Sequence, residues 1–362
     1  MRSVLLNLLD KAKEGAGLSA EEAAIILNET SPNIWEDVFQ IASELTQRYF
    51  KKRLHFFAPL YFSNFCVNDC HYCGFRATNS DILRKVLSRE EFVQEARFLW
   101  NEGHRSLLLI AGEHPVYSGI GQIVSYVLAC RREGLDFSFM LEVGPLSVED
   151  YGILNTVGIN HCLLFQESYD RKVYADVHHG KKADYEWRLN AMERAFEGGF
   201  QKIGLGVLLG LHSWQEEIIS LIAHARRIKE VSGCFPATFS FPRLRPAVGN
   251  SVSGQAVSDA NYKKALAVSR LASPETGIVL TTRESPEFRY LLLKEGIGVT
   301  HMSGGAKTTP GGYTLDQKEN GINQFELADH RSFAEVIREV RELGYEPCDV
   351  ENVHEGFFSD SL

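Results

Sequence analysis

The sequence predicts an α/β chain folded as a (β/α)8 TIM-type barrel, with an N-terminal helical extension and a short C-terminal extension. Eight short apolar runs alternate with helical patterns between residues 55 and 303. Such alternation implies parallel strands joined by right-handed crossovers. A length of 362 residues accommodates one barrel with extensions. Hydrophobic content of 44% with 23% charged residues is ordinary for a globular chain. An open doubly wound sheet is the alternative reading of the same alternation.

Residues 1–52 form the expected helical extension. Ser19 with Glu22 three residues on is a capping box, and Leu18 is available as its staple. Ile34, Val38, Ile41, Leu45 and Tyr49 recur at helical steps and predict a helix over Asn33–Lys52. The barrel is expected over 53–305. His55–Phe62 is its first strand, and a cysteine-bearing loop follows it. Ser88 to Glu91 is a second capping box, opening a helix toward Gly103. The remaining strands are predicted at Ser106–Ala111, Phe137–Val143, Asn160–Gln166, Lys202–Gly210, Ala237–Phe241, Gly277–Thr282 and Gly298–Ser303. Residues 306–362 are expected to close the barrel. In such a fold, chemistry sits at the C-terminal strand ends.

The net charge of −9 argues against nucleic acid as a partner, because phosphate binding needs a basic footprint. No run of about 18 apolar residues predicts a membrane span. The amphipathic, acid-containing N-terminus has no signal-peptide core. The last two observations predict a cytoplasmic protein.

The seven cysteines lie at 66, 70, 73, 130, 162, 234 and 348. An odd number with three clustered is no disulfide framework. The other four are expected as buried, inert thiols. Cys66, Cys70 and Cys73 have the spacing C-x3-C-x2-C. Three thiolates on one loop can bind three irons of a [4Fe–4S] cube and leave the fourth iron open. Structural zinc is the competing reading, but it wants four ligands, and no second C-x2-C pair occurs.

This loop, with Tyr72 before Cys73, resembles the signature of the radical S-adenosylmethionine (SAM) superfamily. Further stretches resemble its aromatic amino acid lyases: the thiamine-pathway tyrosine lyase (2-iminoacetate synthase), the hydrogenase-maturation tyrosine lyase and the tryptophan lyase. They are Ala58–Tyr61, Ala111–Glu113, Phe165–Tyr169, Gly204–Leu211, Phe241–Pro246, Thr282–Pro286 and Lys307–Tyr313.

The resemblance implies a [4Fe–4S] cluster and SAM as cofactors. SAM's methionine amino and carboxylate groups would chelate the open iron, and reductive cleavage would release a 5′-deoxyadenosyl radical. Tyr72, Glu113, Glu167, Arg188 and Arg194 are the implied SAM-binding residues, and Gly204–Leu211 the implied adenine contact. Tyr61, Arg283 and Lys307 are the catalytic candidates at the barrel mouth. Arg243 and Arg245 are further cations that could face a substrate carboxylate.

The implied reaction cleaves the Cα–Cβ bond of L-tyrosine to 4-cresol and 2-iminoacetate. The implied partners are an aromatic amino acid substrate, an electron donor such as flavodoxin or ferredoxin, and, on the thiamine-pathway resemblance, a thiazole synthase. Tryptophan is the rival substrate, because Phe165–Asp170 and Gly210–His212 resemble the tryptophan lyase. An iron–sulfur redox or sensor protein is the rival outside the class. No C-x2-C follows residue 73, so a second cluster is not expected.

Overall fold

Serines begin the helices of this chain. Ser19, Ser88 and Ser332 each close a reciprocal capping box with the glutamate three residues on. That satisfies backbone N–H groups the first helical turn leaves unpaired. Two of these boxes were predicted. The computed structural model describes residues 2–249, 252, 254–315 and 323–348. The C-terminal segment expected over 306–362 is therefore described only in part.

The chain opens with α1 (Arg2–Glu14), α2 (Ala20–Leu27) and α3 (Pro32–Phe50). Then come β1 (Arg53–Phe56), β2 (Ala58–Ser63), α4 (Arg89–Asn101), β3 (Ser106–Ala111), α5 (Ile120–Arg132), β4 (Ser138–Glu142), α6 (Val148–Thr156) and β5 (His161–Glu167). After β5 run α7 (Arg171–Val177), a 3-10 turn (Gly180–Ala183), α8 (Tyr185–Leu189), α9 (Ala191–Glu197) and β6 (Lys202–Val207). The last part holds α10 (Trp214–Ser232), β7 (Thr238–Ser240), α11 (Asp259–Ala272), β8 (Gly277–Leu280), α12 (Pro286–Glu295), β9 (His301–Met302), α13 (Phe333–Glu342) and β10 (Glu346–Cys348). No helix among the described residues is long and apolar enough to cross a membrane.

All strands pair in parallel, in the order β10-β1-β9-β8-β7-β6-β5-β4-β3-β2. The predicted first strand is split at Phe57. Its first half pairs with β9 and its second half with β3. β2 at one end of the sheet and β1, next to β10 at the other, are thus successive parts of one extended run, and the sheet curls back on itself as a TIM-like barrel. All eight predicted strands are present. The short β10, which pairs with β1, was not among the predicted strands.

Side chains alternate across the strands, as the period of two requires. Leu108, Ile110, Met140, Leu163 and Val279 pack inside the barrel with Phe57 and Tyr61. Leu107, Leu109, Phe139, Leu141 and Leu164 pack outward in the large core shared with the helices. Each such aliphatic side chain contributes about 1.5–3 kcal/mol by burial. The helices α2 and α3 pack on α10 and α11, so the N-terminal extension covers one flank of the barrel. Cys130 and Cys162 are buried as expected, whereas Cys234 is exposed just beyond α10.

Candidate active site

The loop after β2 carries Cys66, Cys70 and Cys73 across the C-terminal end of the barrel. Backbone bonds pin it on three sides: Val67 N–H donates to Glu113, His71 N–H to Val177 and Gly74 N–H to Gln324. The Arg84 guanidinium ties it from below by donating to the carbonyls of Asn64, Phe75 and Arg76 at 2.5–2.8 Å. Gly112 lets the next strand end approach, since a Cβ there would lie 2.4 Å from the Phe65 carbonyl oxygen.

The three thiols line one cavity with Asn68, Glu113, Lys182 and Arg188. Burial pushes all three thiols up, Cys70 to about 12. As thiolates they therefore need positive charge brought to them. Donors already point at sulfur: Asn68 N–H lies 3.4 Å from Cys66 Sγ, and Gln324 Nε2 lies 3.7 Å from Cys73 Sγ. Among the described residues no three metal-ligating side chains converge on a single ion. This donor set fits an iron–sulfur cluster, which spreads its thiolates over several irons. His71 is turned away, its Nε2 3.1 Å from Nε2 of His179.

Two irregularities aim side chains into the barrel. The β5–β6 register shifts between Phe165 and Glu167, and Glu167 has φ +70°. A non-glycine residue in that region is strained, and such strain gathers at functional sites. The β2–β3 register shifts just after Tyr61. Bulges of this kind re-aim side chains at barrel rims.

Glu167 Oε1 accepts from Lys182 Nζ at 2.7 Å and lies 3.9 Å from Arg188. Burial alone would raise this carboxyl, but Lys182 and then Arg188 outweigh it and hold the acid ionised. Lys182 also donates to the Tyr72 hydroxyl at 3.0 Å. That hydroxyl lies 2.8 Å from His178 Nε2, and His178 Nδ1 lies 2.9 Å from the Tyr174 carbonyl. A carbonyl only accepts, so Nδ1 carries the proton and Tyr72 donates to Nε2. Glu113 accepts from Asn68 Nδ2 at 2.7 Å.

A second cavity lies deeper, inside the barrel. Tyr61, Tyr72, Cys73, Phe165, Glu167 and Arg283 are among its walls, over an apolar floor of Phe57, Leu108, Leu163 and Val279. Tyr61 donates to Gln324 Oε1 at 2.8 Å. The Arg283 guanidinium lies 3.4 Å over the ring of Phe325.

The profile of the radical SAM superfamily matches residues 60–222. That of the biotin and thiamin synthesis associated domain matches 240–346. The chain is 33% identical to the 2-iminoacetate synthase of Salmonella typhimurium, over 94% of this chain and 89% of that one. The chain belongs to the radical SAM superfamily, in the family of the 2-iminoacetate synthases. The crystal structure of HydG, a maturase of the [FeFe]-hydrogenase, superposes with a TM-score of 0.91 at 37% identity, covering 98% of this chain and 78% of that one. Methylornithine synthase shares the fold, with a TM-score of 0.77 at 22% identity over 95% and 98% of the two chains. As a radical SAM enzyme the protein uses a [4Fe–4S] cluster and SAM.

The radical SAM fold brings most of the predicted residues together. Cys66, Cys70, Cys73, Tyr72, Glu113, Glu167 and Arg188 share the cluster-side cavity, and Tyr61 and Arg283 the inner one. Lys307 departs from its expectation: it is exposed and lines neither cavity. Arg194 departs too. It donates to the carbonyls of Leu146 and Trp187 and stacks on the Trp187 ring, because α9 points it outward. Arg243 and Arg245 gather on buried Glu284, with Arg243 also bound to Asp259. They form an ion cluster in the wall.

The glycines of β6 are explained by packing. A Cβ on Gly206 would lie 2.3 Å from the Phe165 ring, and one on Gly204 2.5 Å from Thr238 Oγ1. Sequence reasoning missed Glu142, Lys182, His178 and Gln324. Of these, Glu142 ends the third barrel strand, a position that itself signals function in such a fold.

Proposed function

We propose that this radical SAM enzyme cleaves the Cα–Cβ bond of L-tyrosine to 4-cresol and 2-iminoacetate. The observation that carries the reading is the inner cavity, which adjoins Cys73 and presents Arg283 with no acid paired to it among the described residues. The names of the relatives agree with it: 2-iminoacetate synthase is the product-forming name of the relatives in Salmonella typhimurium and Escherichia coli.

In this reading Cys66, Cys70 and Cys73 hold the cluster. Glu113, Glu167, Arg188 and Tyr72 hold SAM on the cluster side. When bound, cluster and SAM supply a 5′-deoxyadenosyl radical. The protein's own work is then positioning and exclusion of water. Arg283 takes the substrate carboxylate in a fork-to-fork pair. The apolar floor receives the aromatic ring, and Tyr61, fixed by Gln324, stands on the wall beside it. Thr308, Gln324, Phe325 and Leu327 line the inner cavity, which supports reading the segment from 306 as the one that closes the mouth. The chain is thus read as a helical extension (1–52), a catalytic barrel (53–305) and a closing segment (306–362). The reading adds a cytoplasmic setting, a one-electron donor such as flavodoxin or ferredoxin, and a thiazole synthase receiving the unstable imine.

The test is anaerobic reconstitution with iron and sulfide, then SAM, a reductant and either tyrosine or tryptophan. 5′-Deoxyadenosine with 4-cresol is expected from tyrosine. An indole product from tryptophan, with none from tyrosine, would assign the other substrate. No SAM cleavage by cluster-loaded protein would overturn the reading.

A further inference from the structure

Glu142 ends β4 and lines both cavities, the cluster-side one and the inner one. It stands where they meet, with Tyr72, Phe165, Glu167 and Gln324. Glu167, on the neighbouring strand, is taken up by Lys182 and Arg188. The Glu142 side chain has no hydrogen bond or ion pair among the described residues. Four charged groups face it: Glu167 from β5, Arg283 beyond β8, Arg188 from α8 and Lys182 from the 3-10 turn. Tyr61 faces it from β2. Burial, then Glu167, raises its carboxyl to about 7.

An α-amino acid bears a carboxylate and an ammonium on one carbon. A site that recognises it must offer both signs without letting them neutralise each other. Arg283 and Glu142 meet that condition. They sense one another across the cavity, yet form no ion pair within 4 Å. The chemistry adds a second demand. A hydrogen atom taken from an ammonium group would leave a singly charged aminium radical, whereas one taken from the neutral amine leaves an uncharged aminyl radical, so prior loss of the proton eases the step.

We infer that Glu142 binds the substrate's α-ammonium and accepts its proton before hydrogen abstraction. An N–H bond breaks, its electron pair stays on nitrogen, and the proton forms the Glu142 carboxylic acid. The amine so neutralised would be the group from which the radical supplied by bound SAM takes a hydrogen atom, with 5′-deoxyadenosine as its product. The inference rests on the lyase reading above. A carboxyl whose affinity for protons matches the working pH is the effective acceptor for such a step.

The test uses the reconstituted holoenzyme with SAM. Calorimetry without reductant measures tyrosine affinity between pH 5.5 and 8.5, and turnover with reductant measures 4-cresol. Wild type should lose affinity as pH falls through about 7, as Glu142 becomes neutral. E142Q should flatten that limb and lower 4-cresol formation by on the order of 100-fold, with iron and sulfide content retained. E142D should keep the limb at a lower rate. An amine-free analogue, 3-(4-hydroxyphenyl)propanoate, should bind wild type no more weakly at low pH than at high pH. The same acid limb with that analogue would overturn the assignment without any variant. So would an E142Q enzyme with wild-type turnover and an unchanged limb. Wild-type protein that cleaves SAM but releases no 4-cresol from tyrosine overturns the lyase reading and this assignment with it; normal wild-type turnover beside an unaffected E142Q overturns the assignment alone.

Discussion

Lys182 Nζ lies 2.7 Å from Glu167 Oε1, and both side chains are only 12–13% exposed. The pair joins the 3-10 turn to the strained end of β5 and sets the charge beside Cys70 and Tyr72. Breaking one side of a buried pair strands the other charge.

Lys182→Met should therefore cost roughly 3 kcal/mol of stability, reading as a lower denaturant midpoint. Glu167 would then take up a proton more readily, and SAM affinity should weaken. Calorimetric SAM binding to the cluster-loaded variant checks the second effect. Retained stability and affinity would show that Arg188 alone suffices.

The arginines near the mouth should separate by phenotype. Arg283→Gln removes a cation that has no ion pair among the described residues and should raise the tyrosine KM on the order of 10- to 100-fold, as loss of a charge-assisted pair of about 1.5–3 kcal/mol implies. Arg243→Gln exposes no cavity but leaves Glu284 partly unmatched, so it should lower thermal stability and leave KM near wild type. Lys307→Ala should change neither by more than about twofold, as surface substitutions do little. Steady-state kinetics beside thermal melts distinguish the three.

Gly206→Ala places a methyl group against the Phe165 ring and 2.7 Å from the Ser240 carbonyl oxygen. Overpacking of this kind costs about 1–3 kcal/mol. Because Phe165 lines both cavities, the ring should also be displaced into them, and tyrosine turnover should fall further than stability does. An Ala variant with wild-type melting would show that β6 has room to shift.

Stability should fall on acidification well before ordinary carboxylates protonate. Burial depresses five histidines: His104 and His224 to about 4, His55 and His161 to about 3, and His178 to about 2. Above pH 6.5 neither the folded nor the unfolded chain protonates them. Below pH 6.5 the unfolded chain takes up protons the folded chain refuses, so stability drops with pH until each folded value is reached. Each histidine contributes up to ~1.4 kcal/mol per pH unit in that window. Glu142 works the other way between about 4.5 and 7, because there the folded state holds the extra proton. The five outweigh the one, so urea midpoints at pH 5.5 should lie below those at pH 7.5. Equal midpoints would count against the burial of these rings.

The strands and the cysteine loop were legible in the sequence because both are local. Runs such as Ser106–Ala111 carry their own apolar pattern, capping boxes such as Ser88 with Glu91 span one turn, and Cys66, Cys70 and Cys73 lie within eight residues. Tertiary structure alone decided which polar groups share the site. Tyr61 and Gln324 are 263 positions apart. Arg243 and Arg283 follow neighbouring strands with similar surroundings in sequence, yet one faces Glu284 in the wall and the other the cavity. Glu142 and Glu167 both end strands, yet of the two only Glu167 forms an ion pair with Lys182. Strand register, the bulge at Glu167 and the return of the chain at Gln324 to Tyr61 fix these directions, and none of the three leaves a local pattern of residues.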